Sequence, residues 1–409
     1  MIYSHFWKSD HMIVQKITLT HPLSRLMMST TIASMAGQVY SILLPLLVLE
    51  VTSSTVAVTI AIAAERATML LQPLIGPFLD RANWKYVLLF ADFARFLCFL
   101  LLSIFAVNGQ ISLLLICIIS MCIGFAGQFY QGAQFTAIPH LVADRQLHFA
   151  NSLESAIFQL TIVIGPSIGG IFLLFFSIHY SLIAVCGLSL LAVWLVLLLP
   201  YEQQTTSSRT FSISQYIHEL REGFSFIYQQ KEIWYTNLIS LISNFGIQFL
   251  IVLLVIYVNQ LTKDPLLLGI VLSSGGIGAI LGTSLGFFAD RFSTYKQILF
   301  AAKVIGGLSI ICVGLTDTIW LAACFNMIGT AAAGAVNPII KTIRQRYTPR
   351  HLLGRVQSTS RFITFTLLPV ASVCAGFLSE WIGIGGTILI GGCVASISGL
   401  LVYKLPQKL

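Results

Sequence analysis

The 409-residue chain reads as an all-α membrane protein with twelve transmembrane helices in two pseudo-symmetric six-helix bundles. Three observations predict this class. Hydrophobic residues make up 56% of the chain and charged residues only 9%, at a mean hydropathy of +0.88, whereas a soluble domain carries about 25% charged residues. Apolar runs of the roughly 20 residues needed to cross hydrocarbon recur along the whole length. The pattern of the first half returns in the second at an offset of 210 residues.

Taken in order, residues 1–25 are mixed in character and form an N-terminal segment expected in the cytoplasm, with no cleavable signal pattern. Apolar runs at 26–49, 55–79, 86–107, 111–136, 152–176 and 179–200 are the first six spans, the N-terminal half being 26–200. Residues 201–233 are the one long polar stretch and form a cytoplasmic linker. Within it Ile217, Leu220, Phe224 and Ile227 recur at helical spacing, while His218, Glu219, Arg221 and Glu222 fall on other faces. That pattern predicts a helix lying along the membrane surface, acting as a tether. The C-terminal half, 234–409, holds runs at 234–258, 266–289, 296–316, 318–340, 358–380 and 384–404. Separation is thinnest at 107–110 and near 317.

The net charge of +8 follows the membrane rather than nucleic acid. With a cytoplasmic N-terminus, 18 of the 23 Lys and Arg fall in the termini and cytoplasmic loops, and only Lys263 in an outer loop. Such asymmetry over short loops is what orients a polytopic protein during insertion. Its partner is then the lipid bilayer, and the chain is expected to act as a monomer in a bacterial cytoplasmic (inner) membrane. All eight cysteines lie in apolar spans without a Cys-x-x-Cys pair, so they read as small hydrophobes, and no metal or cofactor is expected. There is no P-loop or G-x-S-x-G; "GGIGAILG" at 275–282 lacks the following Lys and Ser or Thr. An ATP-driven pump and a hydrolase, or any enzyme, are therefore unsupported.

The repeat superposes Gln38 on Gln248, Leu43–Leu44 on Leu253–Leu254, Thr52 on Thr262, Gly76 on Gly286, and Asp80–Arg81 on Asp290–Arg291. Its strongest part is a loop motif, "GPFLDRANWKY" at 76–86 and "GFFADRFSTYK" at 286–296. Two parallel six-span halves related by an axis along the membrane normal form an established transporter architecture. Twelve spans, a long central loop and G-x-x-x-D-R-x-x-x-K between spans 2 and 3 resemble the major facilitator superfamily across essentially the whole chain. Within it, "ADFARF" in span 3, "ANSLES" entering span 5 and "ELREGFSFI" in the linker resemble the branch of macrolide efflux pumps and siderophore exporters.

The resemblance implies that the two loops are gates. Asp80 would hold the start of span 11 and Asp290 the start of span 5, each carboxylate accepting from free helix N–H groups where the dipole is positive. Arg81, Lys85, Arg291 and Lys296 could close ion pairs across the seam between the halves. Two departures stand out: Asn83 replaces the usual Gly, as a residue that tolerates a left-handed turn, and Lys296 comes one residue late, with Tyr295 in the usual place. "IGPSIGG" at 164–170 resembles the antiporter signature of exporters; Gly165 and Gly169 allow close helix approach, Pro166 bends the helix, and Gly170 follows. Gly278, Gly282 and Gly286 in span 8 read as packing.

Charges inside spans mark a pathway or a pair. Glu65, Asp92 and Glu154 are the proton-coupling candidates, with Glu65 first for its depth. Their possible partners are Arg66, Arg95, Lys303 and Arg361. Glu65 and Arg66 point about 100° apart and each needs an outside partner, for instance Arg361 for Glu65; Asp92 and Arg95 can pair locally at i,i+3. Gln38, Gln128, Tyr130, Gln131, Gln134, Gln248 and Asn326 are polar candidates for a large amphipathic cavity, with interhelical bonding as the competing role. The expected function is proton-driven export of amphipathic compounds such as drugs or siderophores. An uptake carrier for a metabolite or iron chelate, and a non-transporting membrane sensor or assembly partner, are the alternatives.

Overall fold

A computed structural model describes residues 22–72, 75, 82–142, 146–199, 213–289, 294–349 and 352–405. Of the gating residues, Gly76, Asp80, Arg81, Asp290 and Arg291 lie outside the described residues.

The helices follow the predicted order. Span 1 is Pro22–Thr52 and span 2 is Thr55–Ala67, which tightens into a 3-10 turn at Thr68–Leu71. Spans 3 to 6 are Trp84–Val107, Leu113–Leu141, Leu147–Phe175 and Ile178–Leu197. In the second half, spans 7 to 10 are Lys231–Leu261, Pro265–Ala289, Tyr295–Leu315 and Ile319–Tyr347. Span 11 begins as Leu353–Phe365 and resumes within Leu368–Ile397, where Gly383 at φ 79° breaks the helix and starts span 12. A 3-10 stretch, Ser398–Lys404, closes the chain's last span.

Hydroxyl and amide caps set where the helices start. Ser54 accepts from Ala57 N–H, Ser112 from Leu115 N–H, and Thr294 forms a reciprocal capping box with Gln297. The thin separation after Val107 is made by Gly109, whose φ of 66° turns the chain. Several helices outrun their apolar stretch. Span 10 continues to Tyr347, with Arg344 and Arg346 in a last turn whose exposed carbonyls favour cations.

The halves pack alike. Span 3 lies on spans 4 and 6 as span 9 lies on spans 10 and 12, and span 2 lies on span 4 as span 8 lies on span 10. Between the halves, span 5 meets span 8 and span 2 meets span 11. The core shows how they are tilted. One end carries the linker, Trp84 and Tyr347; the far end carries Thr52–Thr55, Gly109, Thr262 and Gly383. Toward the far end a single buried cluster joins both halves, running through Leu43, Val58, Leu182, Leu253, Leu268 and Ile388. Toward the linker end, among the described residues, the first half has its own cluster and the second half has others. Leu26, Trp84, Leu88 and Ala137 belong to one cluster, and Leu299, Ile339, Ile343 and Val402 to another.

The linker helix is Ile213–Gln229. It is docked on the second half rather than lying loose as a tether. Ile227 is fully buried with Ile233, Leu352 and Val356, and Gly223 abuts Thr359 and the Arg355 carbonyl. Glu222 pairs with Arg355, and Phe224 stacks edge-on against Phe362 at 6.1 Å between centroids. The predicted apolar stripe thus meets span 11 through Ile227, while Phe224 keeps 39% of its surface exposed.

Candidate functional site

The seam between the halves is built from small residues. A Cβ on Gly269 would lie 2.9 Å from the Pro166 carbonyl and 3.5 Å from Gly170 Cα, and one on Gly276 would lie 2.7 Å from Val163 Cα. The hydroxyls of Ser167 and Ser273 meet at 2.8 Å across the same seam. On the other side Gly376 faces Thr59 and Val56. These contacts sit in the far part of the bundle, where the shared core also lies. The "IGPSIGG" stretch has a double role here. Gly165 and Gly169 press span 5 onto Gln38, Val39 and Ile42 of span 1, while Gly170 touches span 8. In span 8, Gly278 and Gly282 take the carbonyls of Met327 and Ala331 against them, and Gly286 sits on Ala335, which is packing as expected.

Glu65 stands ten residues into span 2, on the face against span 4. A Cβ on Gly124 would lie 2.5 Å from the Glu65 carbonyl and 2.8 Å from Thr68 Oγ1, so backbone closeness holds the carboxylate's helix in place. Among the described residues no ion pair within 4.0 Å forms to Glu65, which removes the suggested pairing with Arg361. Arg66 Nε is buried without a hydrogen-bond partner. Arg361 is exposed and stands near Arg344, a like charge.

Asp92 and Arg95 do pair, loosely, at 3.9 Å. Asp92 is 2% exposed and its second oxygen has no partner. Arg95 donates to the Ala33 carbonyl at 3.2 Å and lies 5.9 Å above the Tyr130 ring, and Tyr130 donates to Thr30 Oγ1 at 3.1 Å. Nearby, Gln134 donates to Glu154 at 3.4 Å. The polar cavity candidates separate into roles. Gln248 is 1% exposed and donates to Ser372 at 2.9 Å, and Asn326 donates to the Val271 carbonyl at 3.0 Å. Gln248 therefore joins helices, while Asn326 does so and also lines a cavity inside the second half. Gln128 is buried with its carbonyl oxygen unpartnered, Gln38 packs on Gly165, and Gln131 is exposed.

The loop bases correct their expected role. Lys85 donates to the carbonyls of Leu197 and Leu199, and Lys296 to those of Tyr403 and Leu405 at 3.2 and 3.0 Å. Each lysine closes the end of the last span of its own half instead of reaching across the seam, a cation on free helix carbonyls. Asn83 is not left-handed either: at φ −65° it is an N-cap accepting from Lys85 N–H at 3.0 Å. Thr294 caps span 9 two residues before Lys296, so the late lysine reflects one extra residue ahead of the cap rather than a lost base.

In the second half, Lys303 is buried and donates to Ser243 at 2.9 Å, and Arg344 donates to Asn237 at 2.7 Å, which donates to Ser360 at 3.0 Å. Asn237, Ser243 and Arg344 were not picked out by sequence. Single polar residues in apolar runs carry little signal, and Arg344 reads as one more loop cation.

The Major Facilitator Superfamily model matches residues 26–367, which include the first half, the linker and the second half as far as the start of span 11. The chain belongs to the major facilitator superfamily. Among its relatives, the Multidrug efflux pump Tap of Mycolicibacterium fortuitum is 21% identical over 396 residues, covering 94% of this chain and 96% of Tap. The uncharacterized MFS-type transporter YvqJ of Bacillus subtilis is 24% identical over 346 residues, covering 82% and 81%. By structure, the nucleoside transporter NupG superposes with a TM-score of 0.76 at 12% identity, covering 94% of this chain and 99% of NupG. A bacterial homologue of the iron transporter ferroportin, in an inward-facing state, gives 0.73 at 14% identity, covering 95% and 99%. Membership of the family makes this a multi-pass membrane transporter.

Proposed function

We propose that this family member is a proton-coupled exporter of amphipathic small molecules, working by alternating access in a bacterial inner membrane with both termini in the cytoplasm. The carrying observation is the division of the core among the described residues, shared at the far end and separate at the linker end. With the linker cytoplasmic, as the gathering of Lys and Arg in the termini and the loops on its side argues, the halves are parted toward the cytoplasm, where an exporter loads. Rocking would then part the Ser167–Ser273 seam and bring the Asp80 and Asp290 loops to the starts of spans 11 and 5. Coupling is assigned to the first half, where Glu65, Asp92 and Glu154 lie in spans; the second half places Lys303, Arg344 and Arg361 there. Likeness to Tap along nearly the full chain, and to the putative bacilysin exporter BacE at 29% identity over 35% of this chain, supports the outward direction.

Everted membrane vesicles test this reading. With an acid interior, vesicles containing the protein should accumulate a lipophilic cationic dye, and Asp80→Asn should slow that accumulation without lowering expression. Uptake by right-side-out vesicles with none by everted ones would favour the uptake carrier instead.

A further inference from the structure

We propose that a cavity inside the second half, between spans 7, 9, 10 and 12, is a binding site for a small monocarboxylate, with Lys303 and Ser243 as its anion-binding pair. Its volume is about 60 Å³, room for several water molecules, and Lys303, Ser243, Gly306 and Val336 are among its walls.

The two halves show why this space exists. Spans 3 and 9 correspond through their caps, Asn83 with Thr294, and through Lys85 with Lys296, an offset of 211 residues. Spans 4 and 10 are both 29 residues long and start at Leu113 and Ile319, an offset of 206. These registers set Lys303 where the first half has Asp92, Gly306 where it has Arg95, and Val336 where it has Tyr130. Ser243 likewise takes the place of Ala33, whose carbonyl receives Arg95. In the first half the guanidinium and the phenol ring fill the bundle beside a buried acid. The second half reverses the charge and removes both large side chains, and an open cavity stands in their place.

The chemistry of the walls then selects the ligand. Lys303 is 8% exposed, and among the described residues no carboxylate lies within 4.0 Å of it. Its bond to Ser243 uses one ammonium hydrogen and a hydroxyl lone pair, which leaves further ammonium hydrogens and the Ser243 hydrogen without an acceptor. An ammonium held in hydrocarbon with one neutral partner is costly, and a bound anion removes that cost. No Asp or Glu lines the cavity and Lys303 is its one cation, so one negative charge matches it. Ile247, Leu250, Ile310 and Phe325 supply an apolar wall for the ligand's body. Asn326 and Thr330 already donate to backbone carbonyls, which leaves anion recognition to the Lys303–Ser243 pair.

The inference concerns binding and holds whichever way the carrier works. Purified full-length protein in detergent would be unfolded thermally with benzoate or with its neutral isostere benzamide. Benzoate should raise the unfolding midpoint with concentration in the native protein and in Lys303→Arg. Benzamide should not, and Lys303→Gln should weaken the benzoate response by roughly tenfold or more in affinity. Ser243→Ala, which retains the ammonium, should weaken it roughly fivefold and serves if Lys303→Gln does not fold. Equal stabilisation by benzamide, no response to benzoate in the native protein, or an unchanged benzoate response in Lys303→Gln or Ser243→Ala would overturn the site.

Discussion

At Glu65 the absence of an ion pair within 4.0 Å among the described residues separates two roles that the sequence left level. A carboxylate locking two helices would leave a buried, unpaired charge when neutralised, at a cost of about 3–5 kcal/mol. Glu65 makes no such pair, so Glu65→Gln should fold and insert normally. A neutral side chain of nearly the same shape can bind substrate but cannot release a proton. Gradient-driven dye accumulation should therefore fail, while exchange of dye across the membrane without a gradient survives. Folded Glu65→Gln protein that still accumulates dye would shift the coupling role to Asp92 or Glu154. The same scale shows why sequence placed some residues poorly. Gln248 looks like a cavity residue because a polar side chain in an apolar run has two uses, and only the position of its neighbour tells them apart.

At the scale of the element, the linker helix is the instructive case. Its period marked it as amphipathic, yet the period alone cannot say whether lipid or protein covers the apolar face. Gly223 and Ile227 decide for protein, since both press on the start of span 11. The Glu222–Arg355 pair is about a third exposed on each side and contributes little, about 0.2–1 kcal/mol. Truncating a buried isoleucine costs about 2–5 kcal/mol. Ile227→Ala should accordingly raise hydrogen exchange through residues 213–229 far more than Arg355→Ala does. The reverse ranking would mean that charge, rather than apolar packing, docks this helix. A second element-scale reading concerns the loop lysines. Their motif was legible, but their partners are carbonyls at helix ends, which have no side-chain signature.

For the whole molecule, the number, order and twofold repetition of the spans were legible because hydrocarbon thickness sets helix length and the halves retain shared residues. The tilt of one half against the other was not. It depends on which of two packings the same small residues occupy, and Gly170, Gly269 and Gly376 would serve close approach in either. In this state the far-end seam is closed, and the proposed cycle requires it to open. Ser167→Cys with Ser273→Cys, in a background without the eight native cysteines, places two thiols where hydroxyls now meet at 2.8 Å. Oxidation should cross-link spans 5 and 8 and stop dye accumulation, and reduction should restore it. Fully cross-linked protein that transports at the uncross-linked rate would show that the seam need not open.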